Sequence, residues 1–232
     1  LEDAQYDLVL DESLRILEEV GVNIAGEQIR GRLSDAGFKT NDKGRWLLPA
    51  DRVRAAIETV PRSFMLYDRD GAEYAEFGVG VSHFAPGSSG LSILDHRTGE
   101  HREAETRDFI EYIKVGQQLK HVHTLSTAFS SREIEPMISD AWRLYLLLRY
   151  STKAFVSGAF SEHAVPRLAR IMGLYRRDAA DLAARPMAIC TVTAAGQFSY
   201  NEDSTQNLID FVEAGIPVEI VPITMMALNA PV

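Results

Sequence analysis

The sequence predicts an α/β fold: the N-terminal, truncated part of a parallel (β/α)8 TIM-type barrel, preceded by a small helical cap. Three observations predict it. Five apolar segments, at 79–85, 121–129, 154–160, 187–193 and 218–224, read as strands, and four helical segments separate them. These strands are apolar along their whole length, as in a parallel sheet covered by helices. Before Gly78 the pattern is different, with short amphipathic helices and a hairpin. Residues 1–77 are therefore expected to form the cap, and residues 78–232 the first five βα units of a barrel left incomplete at the C-terminus.

The cap elements follow in order. A helix is expected over 11–22, with Leu10, Leu14 and Leu17 on one face and Gly21 at the C-cap. A second is expected over 26–36, with Ile29 and Leu33 aligned and Gly37 as its stop. Trp46–Pro49 reads as extended, and Ala50–Thr59 as a third helix with Val53, Ala56 and Ile57 on one face. Phe64–Tyr67 followed by Asp68-Arg69-Asp70-Gly71 reads as a strand entering a turn.

In the second region the helices are expected over 106–119, 137–150, 161–175 and 201–214, with a hairpin over 91–100 interrupting the first unit. A doubly wound sheet is the competing architecture. It would normally carry a Gly-rich turn entering its first helix, and the first unit here has none.

Composition narrows the function. With 232 residues, 46% hydrophobic and 25% charged, the chain can bury a substantial core. A net charge of −9 argues against nucleic acid, which requires clustered cations. No apolar run approaches the roughly 20 residues of a membrane span, no signal peptide is evident, and the single Cys190 suits a reducing cytoplasm.

In parallel barrels the reactive groups lie at the carboxyl ends of the strands. That places His83, Phe84, Ser88 and Ser89 after the first strand and Phe129, Ser130 and Ser131 after the second. Phe160, Ser161 and Glu162 follow the third, Thr193, Gln197, Phe198, Tyr200, Asn201 and Glu202 the fourth, and Met225 and Asn229 the fifth. Aromatic rings and hydroxyls with few charges suit a cation held by ring faces better than a phosphosugar. His83, Phe129, Phe160, Phe198, Tyr200 and Asn229 are the expected substrate-binding residues, with no catalytic residue and no metal ligand singled out.

Plainer roles compete with each. His83 could be a satisfied structural histidine, Pro86–Gly90 a turn, the phenylalanines core, and Asn201 the N-cap of the following helix. His121 and His123 share a strand face, as zinc-binding pairs do, but sit at its amino end. Cys190 lies inside an apolar strand as a small hydrophobe. There is no Gly-x-Gly-x-x-Gly, Walker loop or Gly-x-Ser-x-Gly.

Several stretches in this order resemble the trimethylamine methyltransferase family. They are Ser13-Leu14-Arg15-Ile16-Leu17-Glu18-Glu19-Val20-Gly21-Val22, Leu47-Leu48-Pro49, Val60-Pro61-Arg62-Ser63-Phe64, Asp95–Arg102 leading to Thr106–Phe109, and Gly215–Val218 leading to Met226–Val232. The resemblance implies a (β/α) barrel about twice this length. It also implies transfer of a methyl group from a methylated amine, such as trimethylamine or glycine betaine, to a corrinoid (cobalamin) on a partner protein. No cofactor would be bound directly. Some members use a pyrrolysine, whose place lies beyond Val232; the class without it is the one expected here.

The implied chemistry suits the residues. A quaternary ammonium has no N–H to donate, so ring faces must recognise it, and cobalt itself is the nucleophile. Recognition of a carboxylate-bearing amine would require an Arg, and the sequence shows none obviously placed. On its own the chain is expected to be inactive, and self-association is left open. The alternative is a non-catalytic quaternary-amine-binding or scaffolding relative. A barrel lyase or aldolase would need a Schiff-base lysine at a strand end, whereas Lys153 begins its strand.

Overall fold

The structure is a computed structural model that describes residues 3–88, 90–161, 163–194, 196 and 198–221. In chain order the elements are α1 (Asp3–Glu19), β1 (Asn23–Ile24), α2 (Glu27–Asp35), β2 (Lys39–Thr40), β3 (Trp46–Leu47), α3 (Ala50–Glu58), β4 (Ser63–Tyr67), β5 (Glu73–Gly78), β6 (Ser92–Leu94) and β7 (His101–Glu103). There follow α4 (Thr106–Gln118), β8 (Leu125–Ser126), α5 (Pro136–Tyr150), β9 (Phe155–Gly158), α6 (Ala164–Gly173), α7 (Ala179–Ala184), β10 (Ala188–Thr193), β11 (Ser199–Tyr200), α8 (Glu202–Glu213) and β12 (Val218–Val221).

Among the described residues the chain divides into two compact units. The first comprises residues 3–62, those of Thr193–Gln206 and Val221; the second comprises Ser63–Val192 and Asn207–Ile220. In the first unit α1 is longer than expected and packs on α3. Gly21 has φ 73 where the chain leaves α1, and a Cβ there would stand 2.6 Å from the Trp46 carbonyl oxygen. The positive φ and the close approach both require glycine. A short parallel pairing of β1 with β11 was not expected from the sequence.

The second unit holds a four-stranded sheet in the order β12-β10-β9-β8. β8 pairs with β9, and β9 with β10, in parallel. Phe109, Ile113, Leu144, Leu147, Phe155, Leu168 and Met172 fill the core beneath it. α4 packs on α5, α5 on α6, and α6 on α7. The β4–β5 hairpin groups with this unit, whereas the expected boundary at 77/78 assigned it to the cap. Leu66 buries itself against Ala154 and Ile189, and the Tyr67 N–H donates to the Pro186 carbonyl at 2.8 Å.

The expected first strand is corrected. Residues 79–85 form no strand, because Gly80 turns the chain at φ 82 and Val79 is 87% exposed. Farther on, Phe84, Gly87 and Gly90 lie beside β8 and the segment that leaves it, with a single ladder bridge among the described residues, Gly90 to Phe129. The Phe84 carbonyl accepts from the His123 N–H at 3.0 Å, and the Gly87 carbonyl from the Ser126 hydroxyl at 2.7 Å. Pro86 has no N–H to offer a ladder. The second expected strand shortens to Leu125–Ser126, because His121 lies in the turn after α4. A further helix, α7, precedes β10, its N-terminus capped by the Asp178 carboxylate at 2.8 Å from the Asp181 N–H.

Candidate functional site

A cavity of about 710 Å³ opens where the segments leaving β8 and β9 meet the first turns of α5. Its lining includes Ser130, Ser131, Asp140, Arg143, Phe160 and Ser161. Pro136 starts α5 without wasting a donor, and Asp140 and Arg143 then fall three residues apart on its buried face.

Their side chains are only 3% and 4% exposed, so each charge needs partners. Arg143 Nη2 donates to Asp140 Oδ1 at 2.5 Å. Asp140 Oδ2 accepts from the Phe160 N–H at 2.8 Å, the Ser161 N–H at 2.9 Å and the Ser161 hydroxyl at 3.0 Å. Arg143 Nη1 reaches the Thr127 carbonyl and the Ser130 hydroxyl oxygen, both at 3.3 Å. One ion pair thus ties the loop after β8 to the loop after β9. The guanidinium lies 5.3 Å from the centre of the Phe160 ring, and its Nε is buried with no hydrogen-bond partner.

Of the expected site residues, Phe160 lines this cavity, as do Ser130, Ser131 and Ser161. Phe129 lines a separate cavity of about 540 Å³ with Phe84 and Tyr112, and meets the Phe109 and Tyr112 rings edge-on. His83 packs on Phe77 with ring centres 4.4 Å apart, and its Nε2 lies 2.6 Å from the Glu76 carbonyl oxygen. Phe198 and Tyr200 belong to the first unit, Phe198 with φ 46 and Tyr200 in β11, where burial pushes its phenol up. Asn229, Met225, Ser89, Glu162 and Gln197 lie outside the described residues.

Beside the strand-end residues the cavity holds an ion pair, Asp140–Arg143, that strand-end position does not reach, because both residues stand on α5. Its signal was present in the sequence. Asp140, Arg143, Leu144 and Leu147 follow the spacing of one helix face, which puts two opposite charges among core leucines.

The remaining candidates have structural partners. Asn201 caps α8, its side-chain oxygen accepting from the Ser204 N–H at 2.8 Å. His123 Nδ1 accepts from the Phe84 N–H at 3.1 Å. Lys153 precedes β9 and donates to the carbonyls of Gly116, Leu119 and Val122 at 2.9, 2.8 and 2.5 Å, and burial lowers its pKa. Cys190 is fully buried, and burial pushes its thiol far up, away from the nucleophilic thiolate. Among the described residues no group of three His, Cys, Asp or Glu is placed to hold a metal, and no helix is long and apolar enough to cross a membrane.

The family model for trimethylamine methyltransferase (MTTB) matches residues 1–232. Trimethylamine methyltransferase MttB of Desulfitobacterium hafniense is 19% identical over 224 residues, covering 96% of this chain and 45% of that protein. Proline betaine:corrinoid methyltransferase of Eubacterium limosum is 22% identical, covering 97% of this chain and 47% of that protein. The chain thus spans somewhat under half the length of these relatives. With every residue inside the family match, the chain belongs to the trimethylamine methyltransferase family.

Proposed function

We propose that this protein takes part in moving a methyl group from a methylated amine to a corrinoid carried by a separate protein, in a (β/α)8 barrel whose first strands are those described. The strand order β12-β10-β9-β8 advances in one direction. Right-handed crossovers then put the connecting helices on one face, as barrel closure needs and a doubly wound sheet does not. The observation that carries the functional reading is the cavity at the strand ends of a chain in this family. It presents an aromatic ring, Phe160, that is 52% exposed.

The corrinoid supplies the acceptor for the methyl group. The tasks left to this chain are to bind the amine, aim its methyl outward and keep water away from it. Phe160 offers a ring face to an N-methyl cation. The Asp140–Arg143 pair holds that ring by fixing the Phe160 and Ser161 backbone. His83, Phe129, Phe198, Tyr200 and Asn229 stand behind it as further candidates.

The reading is tested with the intact protein, cob(I)alamin and, in turn, trimethylamine, glycine betaine and proline betaine. Formation of methylcobalamin, followed by absorbance, is expected with at least one of them. Amine binding without methyl transfer would favour the binding or scaffolding relative. No binding of any methylated amine would overturn the proposal.

A further inference from the structure

We propose that Glu219 supplies the counter-charge for the substrate's ammonium, held by Thr191 on the face of the sheet that also carries the Phe160 ring. This rests on the methylated-amine reading above and adds to it the anionic group that a bound cation requires.

The placement follows from strand alternation. In β10, Ala188, Cys190 and Val192 pack into the core beneath the helices, together with Phe155 of β9 and Val218 of β12. Successive side chains of a strand point to opposite faces. Ile189 and Thr191, Val156 and Gly158, and Glu219 therefore share the other face, where Ile189 meets Leu66 of the β4–β5 hairpin. The Thr191 hydroxyl agrees with this, donating to Glu219 Oε1 at 2.6 Å.

The same face carries the aromatic ring. Thr191 of β10 stands beside Gly158 of β9 in the parallel register. A Cβ on Gly158 would lie 2.5 Å from the Phe160 ring, so the ring folds back over this glycine, and only glycine leaves it room. On the far side of β10 runs β12. With neighbouring strands about 4.8 Å apart, roughly 10 Å separates Gly158 from Glu219. A cation within about 6 Å of the ring can lie at the same time within about 4–6 Å of the carboxylate.

Charge then selects the residue. Glu219 is the only charged side chain in β8, β9, β10 and β12. It is partly buried, and among the described residues its one hydrogen-bond partner is the neutral Thr191 hydroxyl; no Lys or Arg pairs with it. Drawing a carboxylate out of water without a cation is costly. A methylated ammonium has the matching need: a quaternary nitrogen donates no hydrogen bond, so a ring face and a nearby negative charge are what recognise it. Asp140 does not compete for the cation, because Arg143, two backbone N–H groups and the Ser161 hydroxyl already meet its charge.

Titration calorimetry on the intact protein with two isostere pairs tests this. Choline and 3,3-dimethylbutan-1-ol differ only in nitrogen against carbon, and so do glycine betaine and 3,3-dimethylbutyrate. In each pair the ammonium is expected to bind roughly tenfold or more tighter. Glu219→Gln keeps the size and an acceptor for Thr191 but removes the charge. It should cut that preference to about threefold, the share left to the ring, and leave binding of the uncharged alcohol unchanged. Glu219→Asp draws the carboxylate back by one methylene and should give an intermediate preference, which decides the matter if the Gln variant does not fold. The assignment is overturned if the wild type binds both members of each pair equally, or if either folded variant keeps the full preference. A Gln variant that melts earlier yet keeps the full preference would make Glu219 the partner of a scaffold cation, and overturns it too. In these cases the methylated-amine reading survives as long as an ammonium ligand binds. If choline, glycine betaine and trimethylamine all fail to bind, both readings fail.

Discussion

Two arginines in the second unit sit among aspartates, and their difference separates scaffold from site. Arg102, in β7, donates Nε to Asp95 Oδ2 at 2.9 Å, Nη1 to Asp108 Oδ2 at 2.8 Å and the Glu103 carbonyl at 3.0 Å, and Nη2 to Asp108 Oδ1 at 2.9 Å. Asp108 in turn accepts from the Glu105 N–H at 2.8 Å, closing a capping box on α4. Every nitrogen of that guanidinium is used, and the result is a clamp between a hairpin and a helix. Arg143 has an equally close carboxylate, yet leaves Nε idle and its Nη1 bonds long. A saturated guanidinium holds a fold together. One that lines a cavity and keeps a donor to spare is the candidate for a site.

The largest effect expected from breaking this comparison is at Asp140. Asp140→Ala would strand a buried guanidinium and release the Phe160 and Ser161 N–H groups together. Removing one partner of a buried ion pair costs about 3–5 kcal/mol. Urea unfolding should register it; a loss under about 1 kcal/mol would mean that Asp140 does not balance Arg143.

Lys153 is a third cation in the comparison, with all three ammonium N–H groups given to carbonyls at the end of α4. By the same logic it is scaffold. Lys153→Met should destabilise by about 1–3 kcal/mol, because three carbonyls lose a charged donor while burial of a charge is relieved. No change in amine binding is expected, and a loss of binding without a loss of stability would break the distinction.

The Arg102 clamp should show itself in acid. The carboxyl of Asp95 is held down from 3.8 to about 2, first by the Arg97 backbone N–H and then by Arg102. Its folded pKa lies below the unfolded one, so the stabilisation is complete above about pH 4 and disappears as pH falls toward 2. Thermal unfolding followed from pH 5 to pH 2 should show this decline. Arg102→Met should lower the melting temperature at neutral pH and flatten the acid decline, leaving the part due to Arg97. An unchanged profile would mean that the clamp contributes nothing.

The same contrast explains what was legible in the sequence. The stretch Asp95–Arg102, one of several that carry the family resemblance, supplies two members of the clamp, so this motif marks scaffold. Helices α4, α5 and α8 were readable from periodicity, because each buries a leucine- or phenylalanine-rich face in one core. The expected first strand is absent because residues 79–85 contain the Gly80 turn and stand largely exposed, a tertiary outcome that local pattern does not encode. Strand-end position singles out Phe160, Ser130 and Ser161, and all three line the cavity. Asp140 and Arg143 escape that rule because they reach the cavity from a helix and not from a strand end.

The smallest effect offers the sharpest test, and it compares two serines of one strand and its exit. Ser126, on β8, donates to the Gly87 carbonyl at 2.7 Å and lies 3.1 Å from the Tyr112 hydroxyl, and it is 1% exposed. Ser126→Ala removes the partner of the half-buried Tyr112 hydroxyl and of the Gly87 carbonyl, which should cost about 1–1.5 kcal/mol. Ser130 lies at the cavity, where its bond to Arg143 is 3.3 Å long. Ser130→Ala should therefore change stability by about 0.5 kcal/mol or less, as a weak bond near solvent is replaced by water. If Ser130→Ala proves as costly as Ser126→Ala, the Ser130–Arg143 contact is part of the frame, and the spare donor of Arg143 belongs to the scaffold after all.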